Sequence, residues 1–155
     1  MLGEAEKLST KSEEASIGDF SCYVTIINRT NTTLTLTSQQ NDCGSYNPAV
    51  LPPQISAQGG QVFFALKGGL AGGTEGTVTY SVLGKGKLIT FSYSCPPVSD
   101  NNISVPFNQS SFTVNYYGTN QTINWNPDGS NWGPANNFPT RGHPLFVLFV
   151  VNELQ

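Results

Sequence analysis

The chain is 155 residues long with a formal net charge of −3, carried by ten acids, seven bases and a single histidine. A domain of this length buries roughly 70% of the surface its unfolded chain exposes, so neither a metal nor a disulfide is needed to fold it. With no basic stripe, the composition excludes the electrostatic footprint of a nucleic-acid binder.

Charge separates the chain into a leader and a body. Residues 1–20 hold Glu4, Glu6, Glu13, Glu14 and Asp19 against Lys7 and Lys11, which accounts for the whole −3; residues 21–155 are neutral. The leader reads as a flexible acidic tail without the apolar core of a signal peptide, and residues 21–155 read as one domain. The longest apolar run, "LFVLFVV" at 145–151, is far too short to cross a bilayer as a helix.

From residue 21 onward the period is two. "CYVTIIN" (22–28), "TLTLT" (33–37), "VFFAL" (62–66), "TVTYSV" (77–82), "LITFSY" (88–93) and "FTVNYY" (112–117) alternate apolar and polar residues and predict short strands. "TINW" (122–125) is a further candidate. "PLFVLFVV" (144–151) is apolar on both sides and suits a strand in the middle of a packed layer. Turn residues separate these runs in "NRTN", "NPAVLPP", "QGG", "GKGK" and "CPPVSDNN". No helical stripe of ten or more residues interrupts them. The expectation is an all-β, single-domain antiparallel β-sandwich.

Residues 118–142, "GTNQTINWNPDGSNWGPANNFPTRG", break the rhythm. A loop of this length in a compact domain is uncommon and is often functional. Its aromatics either pin it to the sandwich or form a recognition surface. Tyr117, Trp125, Trp132 and Phe138 are the candidate contact residues, with Arg141 as a charge-assisted donor to a phosphate. Tyr116 and Phe112 share a strand face with Val114 and point to the core; Tyr117 falls on the opposite face, where exposure is expected. "NWNPDGSNWG" (124–133) also meets the needs of a sugar site, with flat rings beside hydrogen-bonding groups.

"GGLAGGTEGTVTY" (68–80) poses a separate question. A phosphate cradle requires its glycines ahead of a helix, whereas these lead into a strand. Catalysis by Glu75 requires a second titratable group at a fixed spacing, and none is evident. The block therefore reads as architecture. Gly72, Gly73 and Gly76 supply backbone freedom, and Glu75 caps turn N–H groups or pairs with a base.

Cys22, Cys43 and Cys95 permit one bridge in three pairings with one thiol left over; with His143 they form no zinc pattern. A nucleophile built from a cysteine and His143 is conceivable, but His143 stands in a turn, "RGHP", and the expectation is a protein without enzymatic activity, metal or cofactor. Five sequons, at Asn28, Asn31, Asn102, Asn108 and Asn120, hint at secretion or release.

"GGTEGTVTYSV" (72–82) resembles the most recognisable segment of the aegerolysin family, small acidic β-sandwich proteins of fungi and bacteria. "YVTIINRTNTTLTL" (23–36), "PPQISAQGGQVFFA" (52–65) and "KLITFSYSCPPVSDNN" (87–102) are similar to that family's neighbouring segments in the same order. The similarity runs from about residue 21 to about 117. It implies recognition of membrane lipids, notably sphingolipid assemblies, by a toxin-like, cytolytic or insecticidal component that acts with a larger pore-forming partner. The neutral body predicts attachment through apolar burial with weak salt dependence. A carbohydrate-binding module recognising surface glycans, or a secreted effector acting through its sheet edges, is the alternative.

Overall fold

The structure is a computed structural model that describes residues 18–122, 126 and 130–153. The leader expected over 1–20 lies outside these residues except for Gly18, Asp19 and Phe20. Ten strands run in chain order: β1 (Cys22–Asn28), β2 (Leu34–Cys43), β3 (Ser45–Asn47), β4 (Gln54–Ile55), β5 (Gly60–Lys67), β6 (Thr74–Val82), β7 (Lys87–Cys95), β8 (Asn102–Asn108), β9 (Thr113–Thr119) and β10 (Leu145–Asn152). No helix occurs among the described residues.

The strands form two five-stranded sheets, ordered β3-β5-β1-β10-β9 and β4-β2-β6-β7-β8. All neighbours are antiparallel except β1 and β10, which run parallel from Cys22↔Leu145 to Asn28↔Val151. The first and last long strands thus lie side by side at the centre of one sheet. This is the expected sandwich, with one parallel pair inside it.

Alternation decides which side chains meet. In β6, Val78, Tyr80 and Val82 are buried while Glu75, Thr77, Thr79 and Ser81 face outward; in β7, Ile89, Phe91, Tyr93 and Cys95 are buried. From the other sheet, Val24, Ile26, Phe64, Val147 and Phe149 complete the core. Phe91 and Phe149 meet edge-on with ring centroids 4.9 Å apart, the arrangement that ring quadrupoles favour. Full burial of each such ring stabilises the fold by about 1.5–3 kcal/mol.

The two outward faces differ. That of the β6–β7 sheet is a ladder of Thr and Ser, with the Thr79 and Thr90 hydroxyls 2.9 Å apart. On the other sheet, β10 is buried on both sides from Leu145 to Val151, as its unbroken apolar run predicts. Its outward Phe146 stacks on Tyr23, and Leu148 and Val150 cluster with Ile27 and Tyr117.

Three strands have no counterpart in the sequence reading. β8 carries Pro106, which cannot donate to a ladder and is confined to edges and bulges. β8 is an edge strand, and its register shifts between Thr90 and Ser92 of β7, opposite Pro106. β3 and β4, three and two residues long, are too short for a pattern. β2 continues through polar "SQQNDC" because bulges between Leu36 and Ser38 and between Asn41 and Cys43 keep it paired to β6. The strand expected over 122–125 is absent at Thr122, and its other residues lie outside those described.

Candidate functional site

Every glycine of the 68–73 block sits in the connection from β5 to β6, and the strand starts at Thr74. Gly73 has φ +64°, and a Cβ there would stand 2.5 Å from the Cys95 carbonyl oxygen and 2.8 Å from Pro96 Cα. The connection is therefore wedged directly against the start of the β7–β8 loop, at a spacing only glycine allows. Gly76 serves the core: a Cβ there would meet the Tyr46 hydroxyl at 2.7 Å and Leu66 Cδ2 at 2.8 Å. Gly72, at φ +148°, completes the turn. The block thus forms the turn that leads into β6, packed against the β7–β8 loop.

Glu75 departs from expectation. It neither caps turn N–H groups nor takes part in an ion pair among the described residues; it lies exposed, facing outward in register with Cys43 and Ser94. Alternation dictates this, because Thr74 and Gly76 occupy the inward positions. Thr74 does the tying instead, its hydroxyl donating to the Phe20 carbonyl at 2.8 Å.

The β5–β6 connection belongs to one end of the sandwich, together with the β2–β3 turn, the β7–β8 loop and both ends of the long loop. Asn101 ties the β7–β8 loop to the C-terminal end of the long loop. It is 4% exposed, its side-chain amide donates to the carbonyls of Pro139 (3.1 Å) and Gly142 (3.0 Å), and its backbone N–H donates to Thr140 O (2.9 Å). Sequence analysis did not single out Asn101; "SDNN" marks only a turn. At the same end the His143 ring stacks on Phe20 at 4.0 Å, with Nδ1 3.2 Å from the Asp19 carbonyl oxygen. The Asp19 carboxylate accepts from the Tyr23 hydroxyl at 2.8 Å, and Lys67 Nζ donates to that hydroxyl at 3.0 Å.

The long loop is pinned by its aromatics. Residues 136–138 run alongside β9, with Asn136 N–H donating to Tyr116 O (2.7 Å) and Gly118 N–H to Asn137 O (3.1 Å), which covers an otherwise open sheet edge. Phe138 packs against the core over Gly118, where a Cβ would clash with it at 2.6 Å. Trp132 is half-buried, its ring 6.2 Å from Tyr117 and its indole N–H donating to Asn126 O at 3.3 Å. Tyr117 does lie on the face opposite Tyr116, but it is buried rather than exposed, because Trp132 packs on it. Trp125 lies outside the described residues. Arg141 is exposed and pairs through Nε with Asp100 Oδ1 at 2.8 Å; an exposed pair of this kind contributes about 0–1 kcal/mol, so its guanidinium remains available to an anion.

What protrudes from this end is aliphatic. Leu70 is 68% exposed on the β5–β6 connection and Val98 is 86% exposed on the β7–β8 loop. Leu70 also lines a shallow hollow of about 610 Å³ bounded by Cys43, Gly44 and Gly68–Gly73. Its walls carry no charged side chain.

All three thiols are free, so the bridge the sequence permits is not formed. Cys22 contacts the Thr74 hydroxyl at 3.4 Å and Cys95 the Gly142 carbonyl at 3.7 Å. Burial raises the pKa of Cys22 far above the ordinary thiol range and pushes Cys95 up to about 12. That is the reverse of the shift an activated thiolate needs.

In sequence, the chain matches no protein-family profile and no curated protein. In structure it is similar to the lipid binding protein Nakanori, with a TM-score of 0.62 at 14% identity over 97% of this chain and 80% of that one. It shares this fold. A second likeness is to RahU, solved in complex with a TRIS molecule, with a TM-score of 0.59 at 16% identity over 87% of this chain and 96% of that one. No helix among the described residues is long and apolar enough to cross a membrane.

Proposed function

We propose that the protein is a non-enzymatic, membrane-lipid-binding component of the toxin-like kind, secreted or released, that recognises sphingolipid-containing surfaces and acts with a larger pore-forming partner. The observation that carries lipid binding is the structural likeness to a lipid binding protein along 97% of this chain. The sphingolipid preference and the partner rest on the resemblance of the 72–82 segment and its flanks to aegerolysins. A body with five acids and five bases over residues 21–155 fits attachment by apolar burial and hydrogen bonding rather than by attraction to anionic lipid. Trp132, the described tryptophan of the candidate sugar loop, spends its ring on Tyr117 and its N–H on Asn126, which favours the lipid reading over the glycan one.

Co-sedimentation with vesicles, with and without sphingolipid, tests the proposal. The expected result is binding that requires the sphingolipid, persists at high salt and ignores excess soluble sugar. Failure to bind any vesicle, with retention on a glycan array, overturns it.

A further inference from the structure

We infer that the bilayer is met end-on by the rim where the β5–β6 connection and the β7–β8 loop lie side by side, with Leu70 and Val98 as the inserting side chains. This rests on the lipid-binding reading and names the surface that performs it; the long aromatic loop is its support.

Three observations point to this rim. Leu70 and Val98 are large apolar side chains at 68% and 86% exposure, and Gly73 packed on Cys95, Pro96 and Pro97 places their two loops in backbone contact. Of the other large apolar side chains exposed among the described residues, Leu83 sits at the opposite end, Phe107 on edge strand β8 and Val50 on the link from β3 to β4, so none lies on these two loops. Secondly, the loops are tied down by packing and hydrogen bonds. The Gly73 wedge, the Gly73 N–H to Gly69 O bond of 2.8 Å and the Asn101 bonds to Pro139 and Gly142 fix the rim to the sandwich, so little ordering opposes insertion. Thirdly, the rim suits a zwitterionic interface. The hollow beside Leu70 is walled by glycine backbone, Ala71 and Cys43, and the nearby Arg141 and Asp100, 2.8 Å apart, add no net charge.

By contrast, the aromatic candidates among the described residues pack onto the sheet: Tyr117 is buried, and Phe138 and Trp132 are half-buried against it. Aliphatic side chains partition into the acyl region, and a carboxylate at the same place opposes it.

The test uses the full chain and vesicles of phosphatidylcholine, sphingomyelin and cholesterol, and of phosphatidylcholine, ceramide phosphoethanolamine and cholesterol. The double substitution Leu70→Glu with Val98→Glu is expected to weaken sedimentation roughly 10-fold or more with the thermal midpoint unchanged, and Leu83→Glu to leave binding at the parent level. A tryptophan placed by Leu70→Trp or Val98→Trp is expected to shift its emission to the blue on binding, and one placed by Leu83→Trp is not. Parent binding with an equally strong Leu70→Glu/Val98→Glu variant overturns the rim while leaving lipid binding intact. Absence of parent binding to every vesicle overturns both.

Discussion

The hydroxyls of Tyr46 and Tyr93 lie 2.8 Å apart and join the two sheets across the interior, since Tyr46 belongs to β3 of one sheet and Tyr93 to β7 of the other. The Tyr46 hydroxyl also lies 2.8 Å from the Gln40 carbonyl oxygen and 3.1 Å from that of Thr77, either of which accepts its one proton. Gly76 makes room for this hub, because any Cβ there would strike the Tyr46 hydroxyl.

Alkaline pH is therefore expected to unfold the protein. Burial pushes Tyr46 up to about 12, outweighing the hydrogen bond to Tyr93 that acts the other way, and burial raises Tyr93 and Tyr80 well above the ordinary phenol range. A folded-state pKa above the unfolded value of 10 means that the folded form holds its proton longer. That stability is complete below pH 10 and is lost as pH rises through the folded value. Cys95, raised from 9 to about 12 by burial, extends the loss down to pH 9. Urea midpoints measured from pH 7 to 11 are expected to be level to about pH 9 and then to fall; a level profile to pH 11 would refute the assignment. Tyr46→Phe is expected to cost about 1–3 kcal/mol at pH 7, since it leaves the buried Tyr93 hydroxyl without this partner.

The glycine block makes a contrasting pair of predictions. Gly73→Ala forces a side chain into φ +64° and against the Cys95 carbonyl, with an expected loss of at least about 2 kcal/mol and a thermal midpoint lower by roughly 4–8 °C. Glu75→Ala removes an exposed side chain and is expected to stay within about 0.5 kcal/mol of the parent. Thermal scans of both variants decide whether the block is architecture; equal midpoints would refute that role.

Asn101 is expected to govern how the long loop is held. Asn101→Ala removes the donor to Pro139 O and Gly142 O and is expected to cost about 1–3 kcal/mol. Asn101→Asp is expected to be worse, because it places a carboxylate against two carbonyl oxygens. Hydrogen exchange at Gly118 and Asn136, whose N–H groups bridge loop and strand, should quicken in both variants. Unchanged exchange would show that the aromatic contacts suffice.

Period-two alternation was legible for β1, the start of β2, β5, β6, β7 and β9 because it is local: successive side chains in a strand must point to opposite faces, whatever else the chain does; β10 was legible as an unbroken apolar run. For the same reason Phe112, Val114 and Tyr116 could be assigned to the core and the glycine block to a turn before a strand. The sequence by itself thus determined a two-sheet body and which strand faces are apolar. Burial of an outward residue is another matter. Tyr117 is covered by Trp132 from fifteen positions away, β8 exists as an edge strand in spite of Pro106, and Leu70 and Val98 stand out because no described segment folds back over them. Only the tertiary structure decided these, since exposure is set by which distant segment packs overhead, and no spacing along the chain encodes that.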